Sequence, residues 1–140
     1  MQYQETSISR IFNITFQHEE DVLSSLKDFC KEKNIKNAIF FLIGALKSAE
    51  IAVGPAECKI PPNPIKKQFD DCREIIAIGT IVDEDIHIHA SMGRKDSIFT
   101  GCIRDKTQVY LLLEGVLLEF SGTIRKEIDD NLGVKIPRFG

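Results

Sequence analysis

The chain has 140 residues, 43% of them hydrophobic and 28% charged, with a formal net charge of −3. That length and balance predict one globular domain, residues 1–140, able to bury roughly two thirds of its unfolded surface without staples. The mild acidity argues against a phosphate-gripping surface, no apolar run reaches the roughly 18 residues of a membrane span, and MQYQETSISR lacks a signal-peptide core, so a cytoplasmic protein is expected.

Residues 11–16, IFNITF, set Ile11, Asn13 and Thr15 against Phe12, Ile14 and Phe16, the period of a strand. In HEEDVLSSLKDFCKEKN, Val22, Leu23, Leu26, Phe29 and Cys30 recur at helical spacing. Glu19, Glu20 and Asp21 are expected in the first turn, where the helix dipole favours negative charge, and Asn34 at the C-terminal stop. Cys30 falls on the apolar stripe and reads as core, and His18 reads as a flank of the helix. Lys31, Lys33 and Lys36 suit the C-terminal half of that helix and, like Lys66 and Lys67, read as solvated surface.

Residues 38–46, AIFFLIGAL, predict a buried strand with Gly44 marking a bulge or close backbone approach, and residues 49–54 the next strand. GPAECKIPPNPIKKQF holds too many prolines for a central strand and predicts an exposed hairpin or loop, across which Cys58 and Cys72 could face each other. Without a secretory signal, reduced thiols are the expectation. EIIAIGTIV (74–82) reads as a central strand, and DIHIHAS and SIFTGCI as short strands around MGRKDS. QVYLLLEGVLLEFSG reads as one long or bent strand, broken near Gly115, and DDNLGVKIPRFG as an irregular tail. Seven or eight strands with one main helix, not alternating, predict an α+β domain on an antiparallel or mixed sheet. The continuous apolar strands suggest that both sheet faces are covered, in part by a neighbouring subunit.

The chemistry concentrates in DIHIHASMGRKDSIFTGCI. Strand alternation puts Asp85, His87, His89 and Ser91 on one face, with same-face neighbours roughly 7 Å apart. A hairpin symmetric about Arg94 and Lys95 would oppose Cys102 to His87 and Thr100 to His89, and cross-strand partners share a face. His87, His89 and Cys102 then form a three-ligand set with an open fourth position, the pattern of a catalytic zinc site. Water on such a zinc ionises near neutral pH or gives way to a substrate carbonyl. The other reading, two solvated histidines beside a packed cysteine, stays open. GxSxG, HExxH, P-loop and GxGxxG motifs are absent. Glu74, Glu114 and Glu119 lie in or beside apolar strands, with Glu114 the candidate proton carrier.

Four segments, IGALKSAEI (43–51), EIIAIGTI (74–81), HIHASMG (87–93) and IFTGCI (98–103), follow a strand and a helix in fixed order. Together they resemble the "plants and prokaryotes conserved" (PPC) domain in its stand-alone prokaryotic form, over about residues 7–122, with 123–140 as a tail. The resemblance implies an α+β fold assembled as a homotrimer. Prokaryotic members of that family are often labelled DNA-binding and plant relatives attach AT-hooks, but this acidic chain has no Arg-Gly-Arg core. Many prokaryotic members carry HxH followed by Gly-Gly-His, three histidines that can bind zinc. His87 and His89 match the first two, while the third element reads Thr100-Gly101-Cys102. The resemblance therefore implies either a His₂Cys site for Zn²⁺ or a lost site. The fold also resembles acetolactate decarboxylase, a zinc enzyme. By that analogy Arg94 would bind an anionic substrate and Glu114 would move protons. The expectation is a homotrimeric binding or scaffold module that takes a small molecule rather than DNA. The alternative is a zinc-dependent lyase or hydrolase acting on a carbonyl or carboxylate substrate.

Overall fold

A computed structural model of the chain describes residues 1–140. In chain order the elements are β1 (Ile8–Gln17), α1 (Val22–Lys33), β2 (Asn37–Pro55), β3 (Pro64–Phe69), β4 (Arg73–Val82), β5 (Asp85–Arg94), β6 (Ser97–Phe120), β7 (Ile124–Asp129) and β8 (Val134–Phe139). Six strands form a sheet in the order β1-β6-β5-β4-β2-β3, and β6 also pairs with β2. Strands β2, β4, β5 and β6 thus close into a ring, with every pairing antiparallel. The α+β class, the eight strands and the single main helix agree with the sequence reading. The one helix is too short to cross a membrane.

Alternation builds the core. Ile75, Ala77 and Ile81 of β4, Ile88, Ala90 and Met92 of β5, Phe40 and Leu42 of β2, and Leu113 and Leu117 of β6 all point inward. Helix α1 adds Val22, Leu26 and Cys30 to this cluster, and burial pushes the Cys30 thiol up to about 11. Asp21 caps the helix, its carboxylate accepting from the Ser24 N–H at 2.9 Å. The first turn itself holds no acidic residue: Glu19 and Glu20 lie before the cap, where the chain is still turning, with Glu19 at φ 68°. Asn34 closes the helix in the left-handed conformation, as expected.

The strand boundaries differ from the sequence reading where chain breaks were expected. Residues 38–46 and 49–54 are one 19-residue strand, β2, whose register shifts against β6 take the place of a turn. Gly44, at φ +140°, does mark a close approach, since a Cβ there would lie 2.3 Å from the Leu112 carbonyl oxygen. SIFTGCI and QVYLLLEGVLLEFSG are likewise one 24-residue strand, β6. It bends at Lys106 and Leu111, both at positive φ, while the ladders through Gly115 run unbroken.

The proline-rich stretch is an exposed hairpin between β2 and β3, as expected. Cys58 and Cys72 do not face each other across it. They sit beyond opposite ends of the six-residue β3, roughly 20 Å of extended chain, and both are free thiols.

The tail is not irregular. β7 and β8 pair as a two-stranded ribbon. Its turn is made by the Asp129 carboxylate, which accepts from the Asn131 and Leu132 N–H groups at 3.0 and 3.1 Å, and by Gly133 at φ 68°. Pro137 is tolerated because each strand of a two-stranded ribbon is an edge. Lys126 and Lys135 tie the ribbon to Asp85 of β5 at 2.9 and 3.1 Å.

At the other end of the sheet, Glu119 is nearly buried between β1 and β2. Arg10 donates to both its oxygens, at 2.5 and 2.8 Å, and Ser9 donates at 2.9 Å. The Arg10 hydrogen bond holds the Glu119 carboxyl below the usual carboxylate range. A depressed native pKa contributes stability that is complete above the ordinary glutamate pKa and is lost as pH falls through the lowered value. Urea unfolding of Glu119→Gln should therefore show a flatter acid limb than the parent chain. Parallel acid limbs would remove Glu119 from the account.

Candidate metal centre

The centre is assembled where β5, β6 and β2 meet. On β5, Ile88, Ala90 and Met92 are buried, so His87 and His89 project from the opposite face. The β5–β6 turn is centred on Lys95 and Asp96, with Arg94 opposite Ser97 and Lys95 at φ 53°. This places Cys102 opposite His89 and Thr100 opposite Ser91, two residues from the register assumed in the sequence reading. A shift of two preserves the face, so the expected grouping survives the wrong partner. Cys102 also pairs with Ala52 of β2 and is flanked on both sides. Gly101 permits that approach: a Cβ there would lie 2.2 Å from the Ala52 carbonyl oxygen.

The Nε2 atoms of His87 and His89 are 3.1 Å apart, their rings edge to face, and the two imidazoles and the Cys102 sulfur offer donor atoms all within 4.8 Å of one another. A tetrahedral zinc separates such ligand atoms by roughly 3.3–3.6 Å. Small side-chain rotations suffice, and the donor set fits the ion. Burial, chiefly, then the neighbouring His89, Lys126 and Arg104, hold the His87 pKa below the ordinary value, which favours the neutral imidazole that ligates. Burial raises the Cys102 thiol, with Arg104 and Lys126 opposing it, so a metal would have to displace its proton.

An open groove of about 420 Å³ lies over these residues, walled on one side by Pro62 and Pro64 of the β2–β3 hairpin. A second depression adjoins it, lined by Asp85, His87, Cys102, Arg104, Lys126 and Lys135. Arg104 belongs to both. The sequence reading missed it, although it lies two residues beyond Cys102 on the same face of β6. Lys126 was missed because it arrives with the ribbon.

Neither proposed catalytic residue joins the centre. Glu114 pairs with Ile43 of β2, which pairs with Ile76 of β4 and then Ser91 of β5, so two strands stand between it and β5 along the sheet. It lines a separate depression with Asn13, Thr15 and Phe41. Arg94 is the last residue of β5 rather than part of the turn, five residues or roughly 17 Å beyond His89, and its alternation places it with Met92 on the other face. His18 accepts a hydrogen bond from the Leu111 N–H at 3.0 Å, a flank of the helix as read.

Beside the centre the outer sheet face turns apolar. Ile78 pairs with His89 and with Phe41, and Ile76 pairs with Ile43. These four are large hydrophobics left exposed, Ile76 at 69%.

Solved structures share the whole architecture. A metal-containing protein from Archaeoglobus fulgidus superposes with a TM-score of 0.84 at 23% identity, covering 97% of this chain and 98% of its own. A plant- and prokaryote-conserved protein from Pyrococcus horikoshii gives 0.80 at 24% identity over 97% and 99%. A DNA-binding candidate from Bacteroides thetaiotaomicron gives 0.79 at 23% identity over 96% and 97%. At these identities the likeness shows the fold. No curated protein matches the sequence. The sequence profile of the Plants and Prokaryotes Conserved (PCC) domain matches residues 3–121, all of the main sheet and its helix, and the chain belongs to that family.

Proposed function

We propose that the protein is a homotrimeric, cytoplasmic binding module that holds one Zn²⁺ per chain through His87, His89 and Cys102. The observation that carries this reading is the convergence of two imidazoles and a thiol within 4.8 Å beneath an open groove. Two nitrogens and a sulfur suit zinc better than magnesium or calcium, which prefer oxygen. That a relative of the same fold is described as metal-containing supports it. When bound, zinc would supply Lewis acidity at its open position. A free-thiol ligand suits a reducing compartment.

The trimer is supported by the exposed Phe41, Ile43, Ile76 and Ile78, an apolar face that a second copy of the chain would cover. A zinc-dependent lyase or hydrolase is the second reading, favoured by the open groove. It is the weaker one, because no Asp or Glu lines the groove over His89. DNA binding fits poorly with a net charge of −3, even though one structural neighbour is a DNA-binding candidate.

Elemental analysis of protein purified without chelator or histidine tag should give about one zinc per chain, and sedimentation a particle of three chains. His87→Ala should lose the zinc and keep the sedimenting mass. Full zinc in that variant would overturn the ligand assignment, and a monomeric parent chain would overturn the trimer.

A further inference from the structure

We infer that the open side of the centre is a binding site for a small carboxylate, held by Arg104 with Lys126 beside it. The inference rests on the metal reading above and adds the class of ligand. Arg104 lines both depressions that meet at His87 and Cys102. It has no carboxylate partner and makes no side-chain hydrogen bond, unlike Arg10 and Arg73, each paired with an acidic residue.

Lys126 is the more telling residue. Its side chain is only 13% exposed, yet it shares the single carboxylate of Asp85 with Lys135. Three cations therefore surround this corner against one anion, in a chain that is acidic as a whole. A zinc ion on one thiolate and two neutral imidazoles would add further positive charge. The corner thus carries an excess of positive charge that an external anion would complement.

The shape of the groove selects the kind of anion. A guanidinium fork matches a planar carboxylate through two parallel hydrogen bonds. The facing wall of Ala52, Val53, Pro62 and Pro64 offers apolar surface to the remainder of a small organic acid.

The test uses the full-length chain loaded with cobalt(II), whose visible spectrum reports its ligand sphere. Acetate is the probe, acetamide the neutral control and inorganic phosphate the competing anion. Acetate should shift the spectrum saturably, acetamide should not, and phosphate should compete weakly. Arg104→Ala, an exposed position outside the core, should keep one cobalt per chain. Its acetate affinity should fall by about tenfold or more, the loss expected for a hydrogen bond between charged groups. Cobalt that binds normally while acetate binds Arg104→Ala as tightly as the parent chain overturns the inference and leaves the metal reading standing. An equal response to acetamide does the same. Phosphate binding tighter than acetate overturns the carboxylate assignment. Cobalt that fails to bind the parent chain overturns the metal reading, and this inference with it.

Discussion

Cys102→Ala protein will bind zinc more weakly than the parent chain by over a hundredfold, while its fold is retained. Loss of a residue that merely orients a zinc ligand costs about 10–100-fold in affinity, and loss of a ligand itself should exceed that. The fold should survive because Cys102 is only partly buried and lies outside the core cluster. Zinc uptake by the parent chain should release protons, because the Cys102 thiol is raised by burial and must ionise to ligate. Cys102→His should restore tight binding, since it supplies a third imidazole at the same register position. Competition against a chromophoric chelator measures all three proteins. Cys102→Ala binding zinc within a fewfold of the parent chain would make the two histidines a surface pair and the cysteine a packing residue.

Gly115→Ala should cost about 4 kcal/mol or more, a loss reserved for core disruption and comparable to the whole stability of many domains. A Cβ at Gly115 would stand 1.8 Å from the Phe41 carbonyl oxygen, so β2 and β6 would have to part at the centre of their longest ladder. The matched control is Gly93→Ala on β5, where a Cβ meets only the Ile98 side chain, at 3.8 Å. Urea denaturation should leave the control close to the parent and the Gly115 variant largely unfolded. A Gly115→Ala protein within about 1 kcal/mol of the parent would mean that the ladder tolerates separation there.

Much of this was legible in the chain because period two is robust. The alternation in DIHIHAS fixed a common face for His87 and His89, and any even shift of the hairpin carries Cys102 to that face. Which residue opposes which depends on two turn residues, and Lys95 in a left-handed conformation is not a strong turn signal. Strand continuity was harder to read. Gly115 read as an interruption, whereas it permits backbones to pass closely, as Gly44 was expected to do and does. The tail was opaque because its ribbon buries little: Ile128, Val134 and Phe139 stay exposed. Its position depends on Lys126 and Lys135 reaching Asp85, and a contact between residues 41 and 50 positions apart leaves no periodic trace. Glu114 looked chemical because it interrupts an apolar run, but the outer face it occupies belongs to the sheet surface, away from the centre.

The closed ring of β2, β4, β5 and β6 also has a meaning in time. Neighbouring strands such as β4 and β5 can zip from their connecting turn, but the β2–β6 seam must wait for two segments distant in the chain to meet, and such pairings are slow to form. Cys102 lies in that seam, opposite Ala52. The third proposed ligand nevertheless meets the two histidines earlier, because the local β5–β6 hairpin already sets Cys102 opposite His89, so zinc capture in a refolding experiment would serve as a clock for that hairpin, with ring closure following it.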